Sequence, residues 1–95
     1  MSRINTNKKG DIAEYKAILW LLEQGYAVFK NVECTGDTDL VAIKDGEFLR
    51  IDVKTVPTKN GELLFRVPKS EEQRAKGIKL LWVFENTVGW NRDYF

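Results

Sequence analysis

The triplet Asp52-Val53-Lys54 puts a carboxylate and an ammonium group two residues apart in a stretch, Glu47 to Val56, whose composition is that of a β-strand. Alternation sends both side chains to one face. A second strand-like run, Leu40 to Lys44, precedes it, and the joining Asp45-Gly46 favours a tight type I′ hairpin. A two-residue loop pairs Lys44 with Glu47, and Asp39 then falls directly opposite Asp52. The register carries its own check. It collects Leu40, Ala42, Leu49, Ile51 and Val53 on one face, whereas a three-residue loop would mix Phe48 and Arg50 with Leu40 and Ala42. Asp39 and Asp52 therefore share the other face, about 5 Å apart at Cα. Like charges so placed destabilise a sheet unless something cationic lies between them.

An oxygen-rich site of this kind suits Mg²⁺, which takes one or two carboxylates, several waters and substrate phosphate oxygens. Asp39 and Asp52 would be direct ligands and the Val53 carbonyl a third. Lys54 would orient or help deprotonate an attacking water and offset the charge that develops at a phosphate. A further carboxylate lies upstream. With residues placed at about 100° per position on a helix, Glu14 falls between Ile18 and Leu21, in an apolar arc, and Lys16 and Glu23 lie elsewhere. A carboxylate there needs a partner or a metal, and it is expected to hold one of the cation's waters or a second ion. Each residue alone has an ordinary explanation: Asp39 as a turn residue after Gly36, Asp52 and Lys54 as a solvated strand pair, Glu14 as a side chain reaching solvent near a helix start. Their coincidence about one hairpin face carries the functional reading.

The elements that must position these residues can be followed along the chain. Residues 1–7 read as an arm. From about Lys8 to Gln24 apolar residues recur at helical spacing, with Asn5 or Asn7 as a cap and Gly25 as the stop. Tyr26 to Val32 follows as a strand and Thr35-Gly36-Asp37 as a turn; then come the hairpin, Asn60-Gly61, and a short strand from Leu63 to Val67. Ser70 and Gln73 have capping-box spacing and open a short second helix that Gly77 ends. Ile78 to Glu85 is the most apolar strand. This order implies one α/β domain over residues 1–95, a mixed sheet flanked by helices.

Composition removes several alternatives. With 95 residues and no histidine, Ser-His-Asp hydrolases, Cys-His proteases and histidine-based metal sites are out of reach, so catalysis falls to carboxylates, lysines and a hard cation. The single cysteine, Cys34, has no partner for an internal disulfide, which fits a reducing, intracellular and cytoplasmic setting. No signal pattern or membrane-length apolar run is present, so no membrane partner is expected. The formal charge of +1 neither demands nor excludes nucleic acid.

The residues then carry a family resemblance. Lys9-Gly10-Asp11-Ile12-Ala13-Glu14, the Gly25-Tyr26 exit, Thr38-Asp39 and Asp52-Val53-Lys54 resemble the PD-(D/E)XK nuclease superfamily, in particular its archaeal-type Holliday-junction resolvases and its group I intron homing endonucleases. Thr38 replaces the name-giving proline, and Asp52 stands where glutamate is frequent, one methylene shorter. The resemblance implies a restriction-endonuclease-like fold and a metal-dependent DNA endonuclease, either junction-resolving or homing-like, using Mg²⁺ with Mn²⁺ as a substitute. A phage or mobile-element origin would accord with it. It also brings Gln73 toward the site, beside that residue's plainer part as capping-box partner of Ser70. The alternatives are a nuclease-fold DNA-binding module without turnover, against which the intact acidic set and Lys54 speak, and a purely structural domain.

DNA contacts would then fall on Arg3, Lys8 and Lys9, leading to Gly10 at a helix N-terminus whose N–H groups can receive a phosphate, and on Lys59 and Lys69. A lysine-rich arm is also what any soluble terminus carries. The aromatic tail, Trp90 to Phe95, is expected to pack on the domain or on a second subunit. Cutting two symmetric strands calls for a homodimer, because one such site cuts one strand.

Overall fold

The computed structural model describes residues 6–32, 38–56, 58–63 and 69–91, and the side chains of 6–9 and 58–59 are outside that description. The first helix, α1, spans Thr6–Glu23. Thr6 and Asn7 are thus helical rather than part of an arm. At its other end Gly25 takes φ 93°, a left-handed conformation that glycine adopts without a Cβ clash. Its N–H reaches the Leu22 carbonyl at 3.0 Å and the Tyr26 N–H reaches that of Leu21 at 3.1 Å, the paired bonds of a Schellman stop.

Five strands form one sheet in the order β1-β2-β3-β6-β7: β1 Ala27–Lys30, β2 Leu40–Lys44, β3 Glu47–Thr55, β6 Lys79–Phe84 and β7 Thr87–Trp90. Only β3 and β6 run parallel. The parallel pair needs a crossover, and between its strands lie a small hairpin, β4 Thr58–Lys59 with β5 Glu62–Leu63, and the second helix, α2 Glu71–Ala75. The strand expected at Leu63–Val67 is described only at its first residue, where it belongs to that hairpin; residues 64–68 lie outside the described residues. The β1 strand is shorter than Tyr26–Val32, and the expected turn at Thr35-Gly36-Asp37 falls on residues that are not described.

The β2–β3 hairpin has the two-residue loop, with φ 52° at Asp45 and 79° at Gly46 and the ladder Leu40↔Ile51, Ala42↔Leu49, Lys44↔Glu47. Alternation from that register separates two faces. Toward α1 lie Leu40, Ala42, Ile51, Leu81 and Val83, buried with Ala13, Ala17 and Leu21 of the helix and joined by Val28, Leu49 and Val53. Asp52, Lys54 and Leu80 have the opposite parity; on that side Gln73 of α2 reaches Asp52 and Ile78 and Leu80 are buried outside the α1 cluster, while Ile43 and Phe48 are exposed.

The β7 strand was not expected from the sequence. It returns antiparallel on β6 through Glu85 and Asn86, with Glu85 at φ 53°. Gly89 is opposite Trp82, whose indole lies so close that a Cβ on residue 89 would stand 2.4 Å from it. Trp90, the first residue of the aromatic tail, makes an edge-to-face contact with Trp20 of α1 at 5.9 Å between ring centroids. The rest of that tail, 92–95, lies outside the described residues.

Candidate metal centre

The site forms where β2 leaves β3. Asp39 is the residue before β2, and its N–H donates to the Ile51 carbonyl at 2.8 Å, although the ladder partner of Ile51 is Leu40. Two residues therefore face one, as in a β-bulge, and Asp39 is displaced from the simple position opposite Asp52. The displacement has a use. With β2 shifted, the Val53 N–H has no backbone partner on that side, and the Asp39 carboxylate supplies one, Oδ2 accepting from it at 2.7 Å. A strand residue's N–H and C=O point the same way, so the Val53 carbonyl also faces the Asp39 side.

Asp52 is 8% exposed, a depth at which a carboxylate must be bonded to be tolerated. Its Oδ2 accepts from Gln73 Nε2 at 2.6 Å and lies 3.2 Å from Lys54 Nζ. Gln73 is committed at both ends: Oε1 accepts from the Ser70 N–H at 3.1 Å, and its own N–H donates to Ser70 Oγ at 3.1 Å. Both parts foreseen for Gln73, capping-box partner and neighbour of the site, are taken by one side chain. Only one orientation of its amide satisfies both bonds.

Asp39 and Asp52 lie within hydrogen-bonding reach of each other, and the Asp39 carboxyl is pushed up to about 7. Burial is the first cause and the shared hydrogen bond with Asp52 the second; the Val53 N–H works the other way, and the charges of Asp52 and Glu14 add to the rise. This donor set fits a hard cation. One oxygen of each carboxylate is held by the protein, the Val53 carbonyl faces the same side, and a cation between the two carboxylates would offset their charge. Among the described residues no cluster of three histidine, cysteine or acidic side chains gathers closely enough to hold a metal, so the candidate set is two carboxylates and a carbonyl.

Glu14 stands at the flank of the α1 core stripe rather than in its middle, because that stripe is centred on Ala13, Ala17 and Leu21. Its partner is Lys30 of β1: Nζ donates to Oε1 at 2.7 Å, with the Glu14 side chain 20% exposed. The bond to Glu14 raises the Lys30 ammonium above its ordinary value, and Nζ also lies over the Tyr15 ring at 5.7 Å. Asn31 and Arg50 complete the surroundings by bonding Thr38, the residue before Asp39. None of Lys30, Asn31 and Arg50 was singled out from the sequence. Arg50 has the parity of Asp52 and could have been; Lys30 and Asn31 depend on the β1–β2 register, which the turn expected at Thr35-Gly36-Asp37 does not fix in the way Asp45-Gly46 fixes the hairpin.

The basic residues are less well gathered. Gly10 is five residues into α1, so its N–H belongs inside the helical ladder and is not one of the four leading amides that could receive a phosphate. Lys8 and Lys9 are in the first turns of α1, with side chains outside the description; so is that of Lys59, and Arg3 lies outside the described residues altogether. Lys69 directly precedes the Ser70 cap of α2. A hollow of about 460 Å³ between α1 and the ends of β3 and β6 is lined by Ile12, Val56 and Phe84 among others and includes neither Asp39 nor Asp52.

Comparison with known proteins accords with this geometry. A model of the PD-(D/E)XK endonuclease family matches residues 4–80. The structure of the bacterial homing endonuclease I-Ssp6803I superposes with a TM-score of 0.67 at 23% identity, covering 93% of this chain and 67% of that one, a likeness of fold. No curated protein matches the sequence.

Proposed function

The chain belongs to the PD-(D/E)XK endonuclease family, and from that premise we propose that it is a divalent-metal-dependent DNA endonuclease hydrolysing phosphodiester bonds. The observation that carries the reading is the Asp39–Asp52 pair, two neighbouring carboxylates each held by one oxygen, Asp39 by the Val53 N–H and Asp52 by Gln73 Nε2. In this reading Asp39, Asp52 and the Val53 carbonyl hold Mg²⁺, for which Mn²⁺ substitutes. When bound, such an ion polarises the phosphate and lowers the pKa of water.

The chain's own groups have separate parts. Gln73 fixes the Asp52 carboxylate through one hydrogen bond, leaving its second oxygen to point into the site. Lys54, half-exposed beside Asp52, donates to the attacking water or to a phosphate oxygen as charge grows there. Glu14, paired with Lys30, orients water on the other side of Asp39. Arg3, Lys8, Lys9, Lys59 and Lys69 supply phosphate contacts that set position on the DNA without reading sequence.

The substrate proposed is DNA, branched or duplex, and the active form a homodimer, since one site of this kind cuts one strand. That the fold neighbour is a homing endonuclease favours testing duplex beside junction, and a mobile-element origin belongs to the same reading. Among the described residues no helix is long and apolar enough to cross a membrane, which accords with work on DNA in the cell interior. A panel of a four-way junction, a linear duplex and single strands, incubated with Mg²⁺, tests the reading. Cleavage of the junction or the duplex is expected; no cleavage of any of them with Mg²⁺ or Mn²⁺ would contradict it.

A further inference from the structure

Resting on that reading of the site, we propose that Asn31 is a positioning residue for the metal ligand Asp39. The β1–β2 ladder ends at Lys30↔Leu40, and Asn31 is next to Asp39 in the same register, its N–H donating to the Asp39 carbonyl at 2.9 Å. Its side chain reaches one residue further back, Nδ2 donating to the Thr38 carbonyl at 2.9 Å. The peptide group between Thr38 and Asp39 is therefore held at both ends, its C=O by Asn31 Nδ2 and its N–H by the Ile51 carbonyl at 2.8 Å.

The consequence is geometric. Asp39 sits in a bulge, where the regular ladder no longer fixes peptide orientation, and turning the Thr38–Asp39 peptide would break both bonds at once. With that peptide and the following one pinned, the Cα–Cβ direction of Asp39 is set, and its carboxylate meets the Val53 N–H at 2.7 Å and stands beside Asp52. Arg50 Nε adds a longer bond, 3.2 Å, to Thr38 Oγ1. Both of these bonds of Asn31 go to backbone carbonyls. It acts through the backbone, and asparagine suits the place because the carbonyl it meets needs a donor, which aspartate at neutral pH would not supply.

Asn31→Ala removes the Nδ2 bond and keeps the backbone bond, so it isolates the side chain's part. The neighbouring Val32→Ala, at an exposed position outside the site, is the control. Two readouts separate positioning from general stability. The first is amide exchange of Val53, whose hydrogen bond depends on where the Asp39 carboxylate stands; it should accelerate by about tenfold or more in Asn31→Ala, while Leu49 and Ile51 of the same hairpin keep wild-type rates. The second is single-turnover cleavage at saturating enzyme, expected to fall between about 10- and 100-fold per folded molecule, with more Mg²⁺ needed for half-maximal rate and DNA affinity in Ca²⁺ unchanged. Wild-type Val53 exchange in Asn31→Ala, or cleavage equal to that of Val32→Ala, would overturn the proposal. If the wild type failed to cleave, the nuclease reading would fall, and Val53 exchange would still decide whether Asn31 positions Asp39.

Discussion

Burial and the neighbouring Asp52 hold the Asp39 carboxyl at about 7 against an ordinary value of 3.8, and the sign of the effect on stability follows. The folded protein binds this proton more tightly than the unfolded chain does, so the contribution is full below about pH 4 and is lost as pH rises through about 7. The metal-free protein should therefore lose stability over that window, and Asp39→Asn should flatten the dependence; melting curves between pH 4 and 8 without divalent cation check it. A cation needs the carboxylate ionised, so Mg²⁺ should bind better as pH rises through the same range. In the proposed mechanism Lys54 has a different part from its neighbour Asp52, offsetting charge that grows only during attack. Lys54→Ala should lower single-turnover cleavage by about 100- to 1,000-fold and leave DNA affinity in Ca²⁺ nearly unchanged, as paired rate and binding titrations would read. Asp39, Asp52 and Lys54 could be singled out from the sequence because parity and the Asp45-Gly46 register are local, and so is the Ser70–Gln73 cap; that Gln73 approaches the site was implied only by the family resemblance. The Glu14–Lys30 pair could not be singled out. It joins residues of two elements whose relative placement depends on the whole sheet.

At the scale of elements, the hairpin is what brings the site together, and its register makes Ile51 a core residue and Asp52 a site residue. Ile51 is fully buried. Ile51→Ala should cost roughly 2–5 kcal/mol in denaturant unfolding, and a cost near zero would mean that the core does not rest on this strand. The turn was legible because both of its residues require positive φ and the sequence offers Asp-Gly there. The β6–β7 turn was not: it places Glu85 at φ 53°, a conformation to which glutamate gives no local signal. The bulge at Asp39 also lay beyond sequence reading. It is made by Asp39 bonding the Ile51 carbonyl, and a simple alternation from Leu40 puts Asp39 squarely opposite Asp52 instead. The start of α1 was placed too late because hydrophobic spacing is silent over Thr6 and Asn7, and this error put Gly10 at a helix end it does not occupy.

For the molecule as a whole, a mixed sheet packed on α1 brings the ends of β2 and β3 together with Gln73 of α2 at the candidate site, and membership of the PD-(D/E)XK endonuclease family is the premise of the chemistry proposed for it. In the proposed function Asp39 and Asp52 together hold the cation that makes the protein a nuclease. The most direct test is single-turnover DNA cleavage as a function of Mg²⁺ for the wild type and for Asp39→Asn/Asp52→Asn, each first titrated with DNA in Ca²⁺. The expected result is Mg²⁺-dependent cleavage by the wild type and none above background by the double variant, which keeps its fold by circular dichroism. Equal cleavage by the folded double variant and the wild type, at any Mg²⁺ concentration, would contradict it.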